Sequence, residues 1–261
     1  MVVTWIAVVA GLAVWSVPHD PATVPDQRDI GQAVPDLQRA TGAVVAAAAG
    51  PGRALVLGAL VYAEPCRVTL VRSGLLATRD VTVYVRDGGA RAALEAIAAA
   101  LPVRYGAGVG VGSGGTRLAL HADAGDFIGI DASSDAEASS VTLRVSTGCR
   151  PPGHGRPDGT APAAGPVPAV LHTVLAALGA PAADGPTDIQ AVACPDGGVV
   201  GTYTVDRVPA PADLPDRLAA WAGGASVVRG DGALRAYRVG DDSVVVAADG
   251  PRLRASVTSS C

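Results

Sequence analysis

The sequence predicts an α+β fold in which two small disulfide-closed units follow each other as a tandem repeat. Each unit is expected to pack two helices on a mainly antiparallel sheet. The chain's 261 residues exceed one typical domain of about 100 to 150 residues, and 49% of them are hydrophobic, which is enough for two packed cores. A stretch rich in proline and glycine, residues 150–166, divides the chain near its centre and is predicted to be a linker that couples the halves little. The ending "LRASVTSSC" also resembles "LRVSTGC" at residues 143–149, so each half closes on a strand and a cysteine.

Residues 2–17 are the first candidate element, an apolar run without a charged side chain. As a helix the run would be about 24 Å long, a little short of the ~30 Å hydrocarbon core of a bilayer. Residues 1–17 are therefore predicted to be an N-terminal transmembrane anchor or a signal segment with a weak cleavage site at Val14-Trp15-Ser16, and a buried core helix is the alternative. Residues 18–33, a juxtamembrane linker, hold three aspartates against one arginine, which favours an amino terminus inside. We expect a single-pass protein of the cell membrane with its C-terminal region outside, or a secreted protein if the segment is cleaved.

Residues 34–149 are the first predicted unit, and their signals follow a definite order. A helix opens with a proline and an acidic residue, a strand leads to a cysteine, valines alternate along a second strand, and a one-sided helix precedes a hairpin and a closing strand. The expected ranges are residues 34–49 for the first helix, a strand to Cys66, residues 81–85, residues 89–101 for the second helix, residues 117–132 for the hairpin and a last strand to Cys149.

Residues 167–261 are the second predicted unit and repeat that order. The expected ranges are residues 167–179, a strand to Cys194, residues 201–205, residues 212–221, residues 233–248 and a last strand to Cys261. Each hairpin has a Gly-Asp pair at its centre, Gly125-Asp126 or Gly240-Asp241. Both residue types favour turns, so the two hairpins are predicted to bend at these pairs.

Four cysteines allow three disulfide pairings. Their matching positions in the two units favour Cys66 with Cys149 and Cys194 with Cys261. Closing loops of this size contributes ~4 to 5 kcal/mol each in the loop-entropy picture, and it requires an oxidising compartment. The sequence has no Cys-x-x-Cys, and no cysteine has a histidine at ligand spacing, so neither a redox motif nor a metal site is predicted.

The composition excludes several function classes. The 20 basic residues are all arginine and stand against 24 acidic residues, so the net charge is -4. This balance gives no basic footprint for nucleic acid and no polybasic patch for anionic lipid. The absence of lysine excludes Ser-Lys catalysis, Schiff-base chemistry and the P-loop lysine.

Three short motifs of the sequence are candidate functional sites. The glycine-rich residues 105–115 follow a helix and precede a strand, the reverse of a phosphate-binding loop, and predict a mobile loop without a counterpart in the second unit. The tripeptide Arg-Gly-Asp at residues 229–231 is interpreted as a hairpin turn. In "HADAGD", His121 with Asp123 or Asp126 could act as the catalytic residues of a hydrolase. The second unit has the same turn but Tyr237 and Val239 in place of His121 and Asp123, so the feature that the two units share is the turn.

The predicted function is an extracytoplasmic binding or interaction protein of the cell envelope, without an inferred catalytic residue, cofactor or metal. The alternative is an exported hydrolase that uses His121. Residues 67–80, which are longer than their counterpart and both apolar and cationic, are expected to form a partner-binding end with residues 105–115, or else to be an extra edge strand. The expected partners are the membrane, through the N-terminal segment, and an envelope protein or glycan, but not nucleic acid. The predicted contact residues are Arg67, Arg72, Leu75, Leu76 and Arg79.

Overall fold

The computed structural model describes residues 28–112, 114–157, 161–180, 186–230 and 232–261, together with Trp5. Apart from Trp5, the apolar run of residues 2–17 therefore lies outside the described residues. No helix in the described part of the chain combines the length and apolarity that a membrane crossing needs.

Residues 28–261 contain four α-helices and twelve β-strands in their described part. The elements of the first half are α1 Ile30–Ala48, β1 Ala54–Arg67, β2 Ser73–Tyr84, α2 Ala90–Ala100, β3 Gly108–Val111, β4 Arg117–Asp123, β5 Gly129–Asp135 and β6 Ser140–Arg150. Those of the second half are α3 Ala169–Ala177, β7 Asp188–Ala193, β8 Val199–Pro209, α4 Leu214–Trp221, β9 Ser226–Arg229, β10 Leu234–Val239, β11 Asp242–Asp249 and β12 Arg252–Thr258. Short 3₁₀ turns follow α2 and α4, at Val103–Tyr105 and Ala222–Gly224.

The strands form two six-stranded antiparallel sheets. The order is β1-β2-β6-β5-β4-β3 in the first sheet and β7-β8-β12-β11-β10-β9 in the second. Each sheet is thus built in the same order from its half of the chain, and each half places one helix before its first strand and another between its second and third strands. The α+β class and the antiparallel sheets predicted from the sequence are confirmed.

Helix α1 begins at Ile30, four residues before the predicted start at residue 34. The reason is a cap, because the Asp29 side chain accepts a hydrogen bond of 3.0 Å from the Gln32 backbone N–H. Pro35 lies inside the helix rather than at its first position. A proline near a helix start was the wrong marker here, and the aspartate six residues earlier was the informative one.

Strand β3 lies within the glycine-rich stretch that was predicted to be a mobile loop. It pairs with β4 from Gly108 opposite His121 to Val111 opposite Leu118. It occupies the same place in the first sheet as β9 does in the second, so the stretch has a counterpart. Glycine has a low strand propensity, which hid the strand in the sequence.

The two halves share a buried interface, contrary to the expected weak coupling. Helix α1 is buried on nearly all sides, because it lies between the first sheet and β7. Val192, Cys194 and Val200 of the second half belong to the hydrophobic core of the first. The Pro/Gly-rich sequence between the halves gave no information about these contacts.

Gly42 of α1 gives a test of this interface. A methyl group at Gly42 would collide with the carbonyl oxygen of Ala193 at the end of β7. Alanine normally stabilises a helix interior relative to glycine by about 1 kcal/mol. We expect Gly42→Ala instead to lower the free energy of unfolding in urea by about 1 to 3 kcal/mol, since α1 and β7 must move apart.

Gly223 provides the matched control, because a methyl group there meets no atom within 4 Å. Gly223→Ala should leave the unfolding midpoint nearly unchanged. A Gly42→Ala protein as stable as the wild type would show that α1 and β7 do not pack this closely.

Candidate functional site

One end of the first sheet holds a cleft of about 390 Å³ between the two halves of the chain. Asp36 and Arg39 reach it from α1, Arg104 from the 3₁₀ turn after α2, and Asp126 from the turn between β4 and β5. Cys194, directly after β7, closes the side that belongs to the second half. The cleft therefore brings charged side chains together from elements that are distant in sequence.

Arginines outnumber carboxylates around this cleft. Arg28 lies between two of the carboxylates, with its Nη1 3.0 Å from Asp36 Oδ2 and 3.5 Å from Asp126 Oδ2. Arg39 pairs with Asp36 as well. Arg104 lies over the ring of Tyr105, with its guanidinium carbon 5.1 Å from the ring centroid. Both aspartates are thus paired with arginine, while the whole chain carries a net charge of -4.

The turn between β4 and β5 has an unusual backbone. Gly125, Asp126 and Phe127 have consecutive positive φ angles of 88°, 50° and 59°. Residues other than glycine adopt this region at a cost of about 1 to 3 kcal/mol, and such residues cluster at ligand-binding sites. Phe127, the single phenylalanine of the chain, is 56% exposed at this turn.

Arg150 at the end of β6 holds that turn in place. Its Nη2 donates to the Asp126 carbonyl oxygen at 2.5 Å and its Nε to the Thr147 carbonyl oxygen at 2.6 Å. Its guanidinium carbon lies 5.6 Å from the centroid of the Phe127 ring. Burial lowers the pKa of Arg150. The buried cation therefore supports an exposed aromatic ring.

The hairpin that connects β1 and β2 stands at the same end of the sheet, because Leu75 of β2 is paired with Arg150. At its tip Leu70 is 89% and Val71 92% exposed. Arg67 and Arg72 are exposed on either side, and Arg67 Nη1 donates to the Leu70 carbonyl oxygen at 3.2 Å. We call the surface formed by residues 67–72, 102–105 and 124–128 the loop end of the molecule.

The structure divides the five predicted contact residues. Arg67 and Arg72 are exposed and Leu76 is half-buried. Leu75 belongs to the hydrophobic core, and Arg79 is only 1% exposed, so these two are not available to a partner. Leu70 and Val71 were missed as contact residues because "RVTLV" has strand composition, whereas the tip of a hairpin exposes side chains that a continuing strand would bury.

Arg79 instead joins the two halves of the chain. Its Nε donates to the Gly58 carbonyl oxygen of β1 at 2.9 Å. Its Nη1 donates to the Gln38 side-chain oxygen of α1 at 2.5 Å and to the Ala191 carbonyl oxygen of β7 at 3.1 Å, and its Nη2 reaches the Gln190 side-chain oxygen at 3.2 Å. Burial lowers the pKa of Arg79 to about 10, so the guanidinium stays charged at neutral pH.

Residues 67–80 and 105–115 reach the same end of the first sheet only in part, and they do so at opposite edges. Strands β1 and β3 lie at opposite edges of the first sheet, with four strands between them. Tyr105 lines the cleft, but Val111 pairs with Leu118 at the end of the sheet away from the β4–β5 turn. The part of the glycine-rich stretch that belongs to the loop end is therefore its first residue.

His121 lies on the face of the first sheet that carries no helix, with its side chain 73% exposed. Its Nδ1 is 2.7 Å from Asp131 Oδ1 on the neighbouring strand. Asp123 accepts a hydrogen bond from the Gly125 backbone N–H at 2.9 Å, and Asp126 faces Arg28. The histidine thus pairs with a carboxylate that the sequence motif did not contain. Among the described residues, no group of three or more His, Cys, Asp or Glu side chains could hold a metal ion.

Two disulfides close the two halves. Cys66 is bonded to Cys149 and Cys194 to Cys261, with Cα–Cα distances of 5.8 Å and 5.5 Å. This is the pairing that the sequence predicts. The first bridge ties the base of the exposed hairpin to β6, and the second ties the cleft side of the second half to residue 261.

Comparison with known proteins finds no matching family model, no matching curated protein and no matching solved structure. The residues of the loop end combine a charged cleft, a turn with three positive φ angles and a hairpin with an apolar tip.

Proposed function

We propose that this chain is an extracytoplasmic interaction protein of the cell envelope, held at the membrane by residues 2–17 or secreted after their cleavage. The observation that carries the interaction role is the loop end. Exposed apolar side chains mark contact surfaces, and a turn with positive φ at two non-glycine residues is typical of ligand-binding sites. The partner is an envelope component, whether protein, glycan or lipid.

We infer further that the two halves are copies of one unit, the first from α1 to β6 and the second from α3 to β12, joined by residues 151–168. The identical order of helices and strands in both halves supports this inference. The identical order of strands within the two sheets supports it independently. Each unit also has one disulfide between the hairpin of its first two strands and a cysteine at the end of its last strand or three residues beyond it.

The proposed location rests on two features of different kinds. Disulfides persist in oxidising compartments, and both bridges here join residues of a single chain. The apolar run of residues 2–17 suits an export signal or an anchor. Both features agree on a compartment outside the cytoplasm.

A photoreactive amino acid in place of Arg104 tests the location and the contact role together. On irradiation of intact cells, we expect adducts with a component of the membrane or of the space outside it, because Arg104 lines the exposed cleft. The same replacement at Asp241, on the exposed β10–β11 turn of the second half, is the control and should give background yields. Adducts with cytoplasmic proteins would exclude the location, and equal yields at the two positions would exclude the contact role.

A further inference from the structure

We propose that the loop end rests on an anionic lipid surface, with the tip of the β1–β2 hairpin among the lipid headgroups. This inference rests on the proposed anchoring by residues 2–17, and it names the partner of the loop end. Three observations carry it: the exposed apolar side chains, the arginines around them, and the place where the chain enters the fold.

Four large apolar side chains are exposed at the loop end. Leu70 and Val71 form the hairpin tip, Phe127 stands on the β4–β5 turn, and Val103, which is 97% exposed, precedes Arg104 in the 3₁₀ turn. Insertion into the headgroup region would remove these side chains from water, which is the driving force for interfacial binding.

The backbone of the hairpin tip is suited to a region poor in water. The Val68 N–H donates to the Arg72 carbonyl oxygen at 2.9 Å, and the Arg72 N–H bonds to the Thr69 hydroxyl at 3.1 Å. The Arg67 side chain satisfies the Leu70 carbonyl. Backbone groups that are already paired avoid the penalty of entering an apolar medium unsatisfied.

The charges of the loop end favour an anionic rather than a zwitterionic surface. Arg67 and Arg72 stand at the base of the apolar tip, where long arginine side chains can reach phosphate groups while the tip inserts. Arg104 adds a third cation beside Val103. The carboxylates of the cleft, Asp36 and Asp126, are neutralised by Arg28 and Arg39. The sequence predicted no polybasic patch for lipid, because acidic residues outnumber arginines over the whole chain. The fold places Arg104 at the same end of the sheet as Arg67 and Arg72.

The chain enters the fold at this same end. Arg28 is bonded to Asp36 and lies beside Asp126, and the Ile30 N–H donates to the Pro151 carbonyl oxygen at 3.0 Å, next to Arg150. Residues 18–27 separate the apolar run from Arg28, and ten residues span at most about 35 Å. A run held in the membrane therefore keeps the loop end, rather than the opposite end of the sheet, near the lipid surface.

A photoreactive amino acid in place of Leu70 tests the inference in the full chain reconstituted in vesicles that contain phosphatidylglycerol. We expect protein–lipid adducts by intact-mass spectrometry, with a yield that falls about tenfold when phosphatidylcholine replaces the anionic lipid. Val111 is the control, because it is 50% exposed but lies at the other end of the sheet. The same masses verify that both disulfides are intact.

Each other outcome overturns a defined part of the proposal. If the chain resists an alkaline wash of the vesicles but forms no lipid adduct at Leu70, the anchoring is supported and the proposed lipid contact is wrong. If the wash releases the chain, the proposed anchoring by residues 2–17 is wrong as well. Equal lipid yields at Leu70 and Val111 would show that the loop end does not face the lipid surface. Protein adducts instead of lipid adducts at Leu70 in intact cells would show that the partner is a protein.

Discussion

Replacement of Arg79 by leucine will lower the free energy of unfolding by about 2 to 4 kcal/mol, although the new side chain is apolar and its site is buried. The guanidinium donates to groups on three elements, α1, β1 and β7. Without it, the carbonyl oxygens of the half-buried Gly58 and the buried Ala191 lose these donors. Burial of the charged guanidinium, which lowers the pKa of Arg79, costs free energy. The leucine variant avoids this cost, but the gain offsets only part of the loss. Urea unfolding followed by circular dichroism measures the change.

Arg67→Leu is the matched control for this experiment. Arg67 is exposed at the hairpin, so its replacement should change stability by no more than about 0.5 kcal/mol. Arg79→Lys keeps a charge but not the planar fork of donors. Its free energy of unfolding should therefore fall between those of Arg79→Leu and Arg67→Leu. An Arg79→Leu protein as stable as Arg67→Leu would show that Arg79 does not join the halves.

Removal of the second disulfide will destabilise both halves of the chain. In Cys194→Ser with Cys261→Ser, we expect a loss of about 2 to 5 kcal/mol, the range typical for a native bridge. Val192 and Val200, on either side of Cys194, pack in the core of the first half. Unfolding of the second half therefore uncovers α1. Hydrogen exchange should show the amides of β2 and of β12 losing protection together.

The first disulfide provides the comparison for this result. Cys66→Ser with Cys149→Ser frees the base of the exposed hairpin. It should therefore increase exchange in residues 67–72 before it affects β12. Full protection of β2 after loss of the second bridge would contradict the shared core and restore the expectation of independent halves.

Local patterns in the sequence predicted much of the fold because they report which face of an element is buried. Val81 and Val83 alternate with polar residues and are buried, and Leu94 and Ile97 form the buried stripe of α2. The Gly-Asp pairs lie at the turns of both hairpins, where Gly125 and Gly240 have positive φ. None of these features requires knowledge of a distant part of the chain.

The candidate site was predicted less well, since it depends on contacts between distant residues. Arg79 resembles Arg67 and Arg72 in its sequence context, and only β7, more than a hundred residues later, makes it a buried donor. His121 contacts Asp131 because the register between β4 and β5 places them opposite each other. The two-residue spacing of His121 and Asp123 in the sequence gives no information about that register. Arg104 is likewise brought to the same end of the sheet as Arg67 and Arg72 only by the fold.

The order of the disulfides has a consequence for the biogenesis of the protein. The four cysteines are bonded in consecutive pairs, Cys66 to Cys149 and Cys194 to Cys261. When the chain emerges amino terminus first, Cys66 is the one of these four thiols already present as Cys149 emerges. Once the first bridge has formed, Cys194 is the one free thiol among them as Cys261 emerges. Oxidation in order of emergence therefore yields the native bonds directly, without the thiol–disulfide exchange that interleaved bridges would require.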